Sequence, residues 1–165
     1  MREIGIEKVT ANIGVGEGGE KLERCLALLT TLAGRQAVKT VARVRNPTFK
    51  IKKGDPIGVK VTLRGKEAEE FLMKALDAVD KKVSLSSFDE HGNFSFGVKE
   101  YIDFPGAKYD PKLGIVGFDV CVTLKRKGWR VGERRRGRSR VGRKHKITKE
   151  EGVAFAKEKL GVEVV

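Results

Sequence analysis

Apolar and polar side chains alternate most clearly at residues 57–64. Ile57, Val59, Val61 and Leu63 share one parity there, and Gly58, Lys60, Thr62 and Arg64 share the other. Period-two alternation marks a strand with one buried face. Residues 8–13 repeat it, with Val9, Ala11 and Ile13 against Thr10 and Asn12. Residues 94–99 set Phe94, Phe96 and Val98 against Ser95, Gly97 and Lys99, and residues 115–124 turn Phe118, Val120, Val122 and Leu124 inward. Residues 36–44 read as extended until Asn46-Pro47 interrupts them.

The helical period appears three times. Leu22, Leu26, Leu29, Leu32 and Ala33 form one stripe, closed by Gly34 as a C-cap residue. A second helix is predicted over 66–82 from Ala68, Phe71, Leu72, Ala75, Leu76 and Val79. The third spans 148–160. Thr148 and Glu151 form a capping box, Val153, Ala156 and Leu160 supply the stripe, and Gly161 ends it. One-sided strands mixed with one-sided helices predict an α+β fold, an open antiparallel sheet with helices packed on one face and a polar surface on the other. At 165 residues the chain is long enough for one core, and a single domain over 1–165 is expected.

Charge changes this picture. The formal net charge is +13, but residues 35–66 carry +9 and residues 125–146 carry +11, with −5 between them at 67–124 and −1 at each end. Such dense blocks repel themselves unless an anion neutralises them, and nucleic-acid phosphate is the commonest such anion. The first block contains a basic loop, 43–55, in which Arg43, Arg45, Lys50, Lys52 and Lys53 flank a proline turn as a protruding finger. The second is an arginine-rich extension with four glycines and no apolar period. It lacks the apolar surface to offset about 1–2 kcal/mol of backbone entropy per residue, so it should order on RNA. On the polar sheet parity, Asn12, Lys60, Thr62, Arg64 and Lys99 would meet a nucleic acid, cations on phosphates and Asn and Thr on ribose hydroxyls or base edges. The strand phenylalanines fall on the buried parity, which favours double-stranded RNA over a base-stacking sheet.

Other classes fall away. No stretch approaches the roughly 20 apolar residues of a membrane span, so no membrane partner is expected. The opening MREIGIEK lacks the apolar core of a secretion signal, pointing to the cytoplasm. Cys25, Cys121, His91 and His145 are too few and too scattered for a disulfide framework or a metal site, and no cofactor is expected. Asp89, Glu90 and His91 precede Gly92-Asn93 and read as a hairpin turn. Residues 14–19, GVGEGG, match a dinucleotide fingerprint, but no acidic residue lies between Glu23 and Asp55 to hold a ribose, and Glu17 and Glu20 would repel a pyrophosphate. A tight turn accounts for the glycines, and no catalytic constellation remains.

The segments VTANIGVGEGGEKL, IKKGDPIGVKVTLRGKEAEEFL, SSFDEHGNFSFGVKEYIDFPGAKYDP, GIVGFDVCVTL and GRKHKITKEE follow one another in this order. In them the chain resembles the large-subunit ribosomal protein five family in its archaeal form. The resemblance implies a structural, non-enzymatic ribosomal protein that binds 5S rRNA in the central protuberance, touches peptidyl-site tRNA and bridges to small-subunit ribosomal protein thirteen. It implies that Asn12 and Thr62, flanked by Lys60 and Arg64, meet 5S rRNA, and that Arg43 to Lys53 approach the tRNA. Further large-subunit rRNA contacts would fall to Arg134, Arg135, Arg136, Arg138, Arg140, Arg143 and Lys144. Where the family reads Gly-Gln-x-Pro, this chain has Gly34-Arg35-Gln36-Ala37, so the contact there belongs to Arg35 or to Gln36, since a shift of one residue along a strand exchanges faces. The residues taken alone also admit a free-standing double-stranded-RNA-binding processing or chaperone factor.

Overall fold

The computed structural model describes residues 1–165 apart from Lys108, Asp110 and Lys112, which fall in the turn-rich stretch DFPGAKYDPKLG. The elements are β1 (Ile4–Gly14), α1 (Glu20–Ala33), β2 (Val38–Val41), β3 (Pro56–Leu63), α2 (Lys66–Asp77), β4 (Lys82–Val83), β5 (Phe94–Val98), β6 (Phe118–Arg126), α3 (Arg130–Glu133), α4 (Lys149–Leu160) and β7 (Glu163–Val164). Five strands form an open antiparallel sheet in the order β2-β3-β1-β6-β5, leaving β2 and β5 as edges. This is the α+β architecture that the alternation predicts.

The packing divides into two units, Thr10–Leu63 with Gly97–Val120, and Met1–Val9 with Arg64–Phe96 and Cys121–Val165. In the first, Ala11, Ile13, Val59, Val61 and Leu63 are buried while Lys60 is exposed, so the predicted parity holds. α1 packs on β3 and buries Leu22, Leu29 and also Cys25, which the expected stripe omitted. Burial pushes the Cys25 thiol above its usual range, because a thiolate is poorly solvated there. The helix ends at Gly34 in the left-handed conformation. The preceding glycine cluster is a turn, where the Val15 and Gly16 N–H groups both donate to the Ile57 carbonyl at 3.0 and 2.8 Å.

In the second unit α2 buries Ala68, Phe71, Leu72, Ala75 and Leu76, but it stops at Asp77 and not at 82. The chain turns through Asp80 and Lys81, both at positive φ, so that β4 can pair in parallel with β7, Lys82 opposite Glu163. The Asp89 turn forms as expected. Its carboxylate accepts from the His91 and Asn93 N–H groups at 2.8 Å each, and Asn93 Oδ1 accepts from the Leu124 N–H at 2.9 Å. α4 begins with the complete Thr148–Glu151 capping box and ends at Gly161. Its Gly152 lies directly against the turn, where an added Cβ would stand 2.5 Å from the Gly92 carbonyl oxygen.

β6 runs past its predicted end. Its parity continues through Lys125 to Arg126, which is 6% exposed. The residues expected to open the arginine-rich extension are therefore strand. Nitrogen Nη2 of Arg126 meets Glu151 Oε1 at 2.6 Å, and Nη1 donates to the Lys144 carbonyl at 3.4 Å. Glu151 thus serves two partners, the Thr148 N–H at 3.1 Å and the buried guanidinium.

Candidate nucleic-acid interface

In the unit holding β2 and β3, the two strands pair antiparallel with Val38 opposite Lys60 and Lys39 opposite Val59. Directly opposed residues share a face. Lys39 therefore lies on the face of buried Val59, and its ammonium meets Glu23 of α1, which fixes α1 to that side. Lys60 and Val38 project to the other side, and Val38 is 59% exposed. Asn12 and Thr62 are half-buried on the polar parity, and Lys60 and Lys99 are exposed. Among the described residues neither lysine has an acidic partner.

Arg35 and Gln36 are both exposed in the connection between Gly34 and Val38, ahead of β2. Strand alternation therefore does not decide between them. Arg64 lies just beyond β3 in the second unit. It is exposed, but its guanidinium stands 3.6 Å from the Glu7 carboxylate and 3.5 Å from the Glu7 carbonyl. Its charge is shared with protein.

The basic loop is an ordered finger. Ala42 donates to Asp55 at 2.8 Å and Gly54 to Ala42 at 2.9 Å at its base, and Asn46 and Ile51 exchange bonds of 2.9 and 3.0 Å further out. Asn46 Oδ1 caps the tip by accepting from the Thr48 N–H at 3.0 Å. Arg43, Arg45, Lys50, Lys52 and Lys53 all face solvent, and among the described residues none forms an ion pair. The charge pattern missed Phe49, 71% exposed at the tip. A single aromatic among the cations of a basic loop was the signal available.

The second basic block splits in two. Lys125 meets Glu133 at 2.8 Å and Glu7 at 3.4 Å, and Lys127 meets Glu3 at 2.9 Å. These lysines, donating to and facing the carboxylates, hold Glu133 and Glu3 below their usual pKa of 4.5. Arg134, Arg135, Arg136, Arg138, Arg140, Arg143 and Lys144 are exposed, and among the described residues none of them meets a carboxylate. Arg134 Nε donates to the Gly137 carbonyl at 2.7 Å. Thus one set of cations ties down β6 and another remains for an external anion.

Residues 1–52 match the family model described as Ribosomal protein L5, and residues 56–155 match the model of the same ribosomal family's C-terminus. The chain belongs to the ribosomal L5 family. It is similar over its whole length to proteins named large ribosomal subunit protein uL5. That of Nanoarchaeum equitans is 54% identical, with 98% of its length covered. That of Sulfurisphaera tokodaii is 50% identical with 94% covered, and that of Methanococcus vannielii 51% with 93%. Members of this family are structural proteins and not enzymes.

Proposed function

We propose that this protein, a constituent of the large ribosomal subunit, binds 5S rRNA through the open face and helps to attach it in the central protuberance. Asn12, Lys60, Thr62 and Lys99 form that surface, with Arg64 and either Arg35 or Gln36 beside it in sequence. The observation that carries the reading is Lys60, exposed on the side of β3 opposite α1 with no acidic partner among the described residues, in a chain about half identical to the uL5 proteins from end to end. The finger 43–55 reaches peptidyl-site tRNA, with Phe49 adding a ring that can stack on an unpaired base. The arginines from 134 to 143, with Lys144, neutralise large-subunit rRNA, and small-subunit ribosomal protein thirteen completes an intersubunit bridge.

Filter binding of 5S rRNA against an unrelated duplex of equal length tests this reading. Lys60→Ala with Arg64→Ala should weaken 5S rRNA binding by about 1–3 kcal/mol per good charge-assisted contact. Lys60 should carry the larger share, because Arg64 already faces Glu7. The melting temperature should move little, since Lys60 and Arg64 are exposed and Glu7 keeps Lys125 as a partner when Arg64 is removed. Equal affinity for both RNAs would indicate a general double-stranded-RNA binder and overturn the proposal.

A further inference from the structure

The protein has one tryptophan, Trp129, and no contact of the proposed 5S or tRNA surfaces uses it. It follows β6 and immediately precedes α3, half-buried. Three grooves of the same unit share it as a wall. Two of them also contain Glu7, and one of these adds Glu3. The third, about 590 Å³, has no acidic residue among the described residues that line it. There Trp129 faces Arg138, Arg140 and Lys146, with Ser139 and Val141 completing the wall. Its volume falls within the roughly 300–1,000 Å³ of small-ligand clefts.

The backbone builds this groove. The Ser139 N–H donates to the Val131 carbonyl at 3.1 Å, folding the arginine-rich segment back over α3, and Gly132 N–H donates to the Trp129 carbonyl at 2.9 Å. Gly132 permits the close approach, since a Cβ there would meet Val141 at 3.2 Å. An aromatic face beside cations matches one chemistry in particular. A base stacks on the indole, and its phosphates lie on guanidinium and ammonium groups. A duplex hides its base faces, so the base must be unpaired.

We propose that this groove binds an unpaired ribonucleotide within rRNA, its base on Trp129 and its flanking phosphates on Arg138, Arg140 and Lys146. The site rests on the reading of the chain as an RNA binder and adds to it a base-stacking contact away from the sheet. The test titrates the full chain with a single-stranded hexaribonucleotide and follows Trp129 emission, which no other tryptophan obscures. The controls are an abasic ribose-phosphate hexamer, polyglutamate and adenosine monophosphate.

The hexaribonucleotide should quench the emission and bind about tenfold tighter than the abasic hexamer, as expected for one stacked base. Arg138→Ala with Arg140→Ala should lower its affinity and flatten the salt dependence, with the quench at saturation unchanged. Trp129→Phe should stay within about threefold of the parent in a competition assay, and Trp129→Leu should lose about tenfold. If Trp129→Leu does not fold, the double arginine variant still decides. Equal binding of the abasic hexamer or of polyglutamate would reduce the groove to a general anion patch and overturn the proposal. Equal quenching by adenosine monophosphate at the same concentration would make it a free-nucleotide site and overturn the RNA assignment. Binding of 5S rRNA, measured on the same samples, separates the failures. Its loss in the parent protein overturns the RNA-binding reading, and its retention with no hexamer quench overturns the groove alone.

Discussion

The finger at 43–55 and the segment at 125–146 are both strongly basic but use their charge in opposite ways. In the finger, backbone hydrogen bonds between Ala42 and Asp55 and between Asn46 and Ile51 supply the order, and the five cations point to solvent. In the other segment the first three cations are structural. Lys125 joins β6 to Glu7 and Glu133, Arg126 holds the capping box of α4, and Lys127 meets Glu3. Net charge therefore overstates what the second block offers to RNA, while the finger offers all that it has. The difference follows from placement. A strand at the margin of a core brings its lysines against other elements, whereas a hairpin beyond the sheet meets only water.

Neutralising the finger should give the largest effect, and on binding alone. Replacing Arg43, Arg45, Lys52 and Lys53 by Ala should weaken peptidyl-site tRNA on assembled ribosomes by about 1 kcal/mol for each cation that touches the RNA. The salt slope should also fall by roughly 0.7–0.9 for each phosphate no longer neutralised. Isolated 5S rRNA should bind as before, and stability should move by less than about 0.5 kcal/mol per site, because the bonds that close the loop are made by the backbone. Equal losses for both RNAs would assign the finger to the 5S surface. A large loss of stability would show that its cations are structural after all.

The converse change is Glu151→Ala. It leaves the Arg126 side chain, 7% exposed, with the Lys144 carbonyl and no counter-charge, and it removes half of the capping box. Leaving the buried guanidinium without its carboxylate should cost about 1–3 kcal/mol, measured by chemical denaturation, the lower part of that range reflecting a Glu151 side chain that is itself 42% exposed. Glu151→Gln keeps one acceptor oxygen where the carboxylate uses two, so it can accept from the Thr148 N–H or from Arg126 but not both, and it should lose less than Glu151→Ala. If both variants melt like the parent, the arginine is not the tie between β6 and α4.

The sheet was legible because burial in a strand repeats every second residue, and Val59, Val61, Phe118, Val120 and Val122 carry that repeat without interruption. Both ends of α4 were legible for a local reason, since Thr148, Glu151 and Gly161 each act within a turn of the helix. The end of α2 was not. Val79 continues the helical stripe, and only the pairing of Lys82 and Val83 with the distant C-terminal strand pulls the chain away. The first half of β1 was hidden too, because Glu7 interrupts the apolar parity of Val9, Ala11 and Ile13 and becomes intelligible only when Lys125 and Arg64 meet it. The same limit applies to the interface. Basic residues could be found by counting, but which of them spend their charge on protein depends on acids far away in the chain, and so does the groove beside Trp129.

The smallest expected effect concerns pH, and it isolates the structural cations. Glu133 and Glu3 both have folded-state pKa values below 4.5, each held down by a hydrogen bond from its lysine, Lys125 or Lys127, and then by that lysine's charge. The unfolded chain therefore binds more protons than the folded one between the depressed values and 4.5, and stability rises with pH across that window. The contribution is complete above the unfolded value and is lost as pH falls through the folded values. Both carboxylates are exposed, so salt should screen most of it. Denaturation midpoints from about pH 5 down to pH 3 should fall less steeply for Lys125→Met with Lys127→Met than for the parent, and added salt should narrow the gap. The finger quartet should track the parent throughout, since its cations face no carboxylate among the described residues. A finger variant that flattened the acid limb as much as the Lys125 and Lys127 pair would erase the distinction between the two regions.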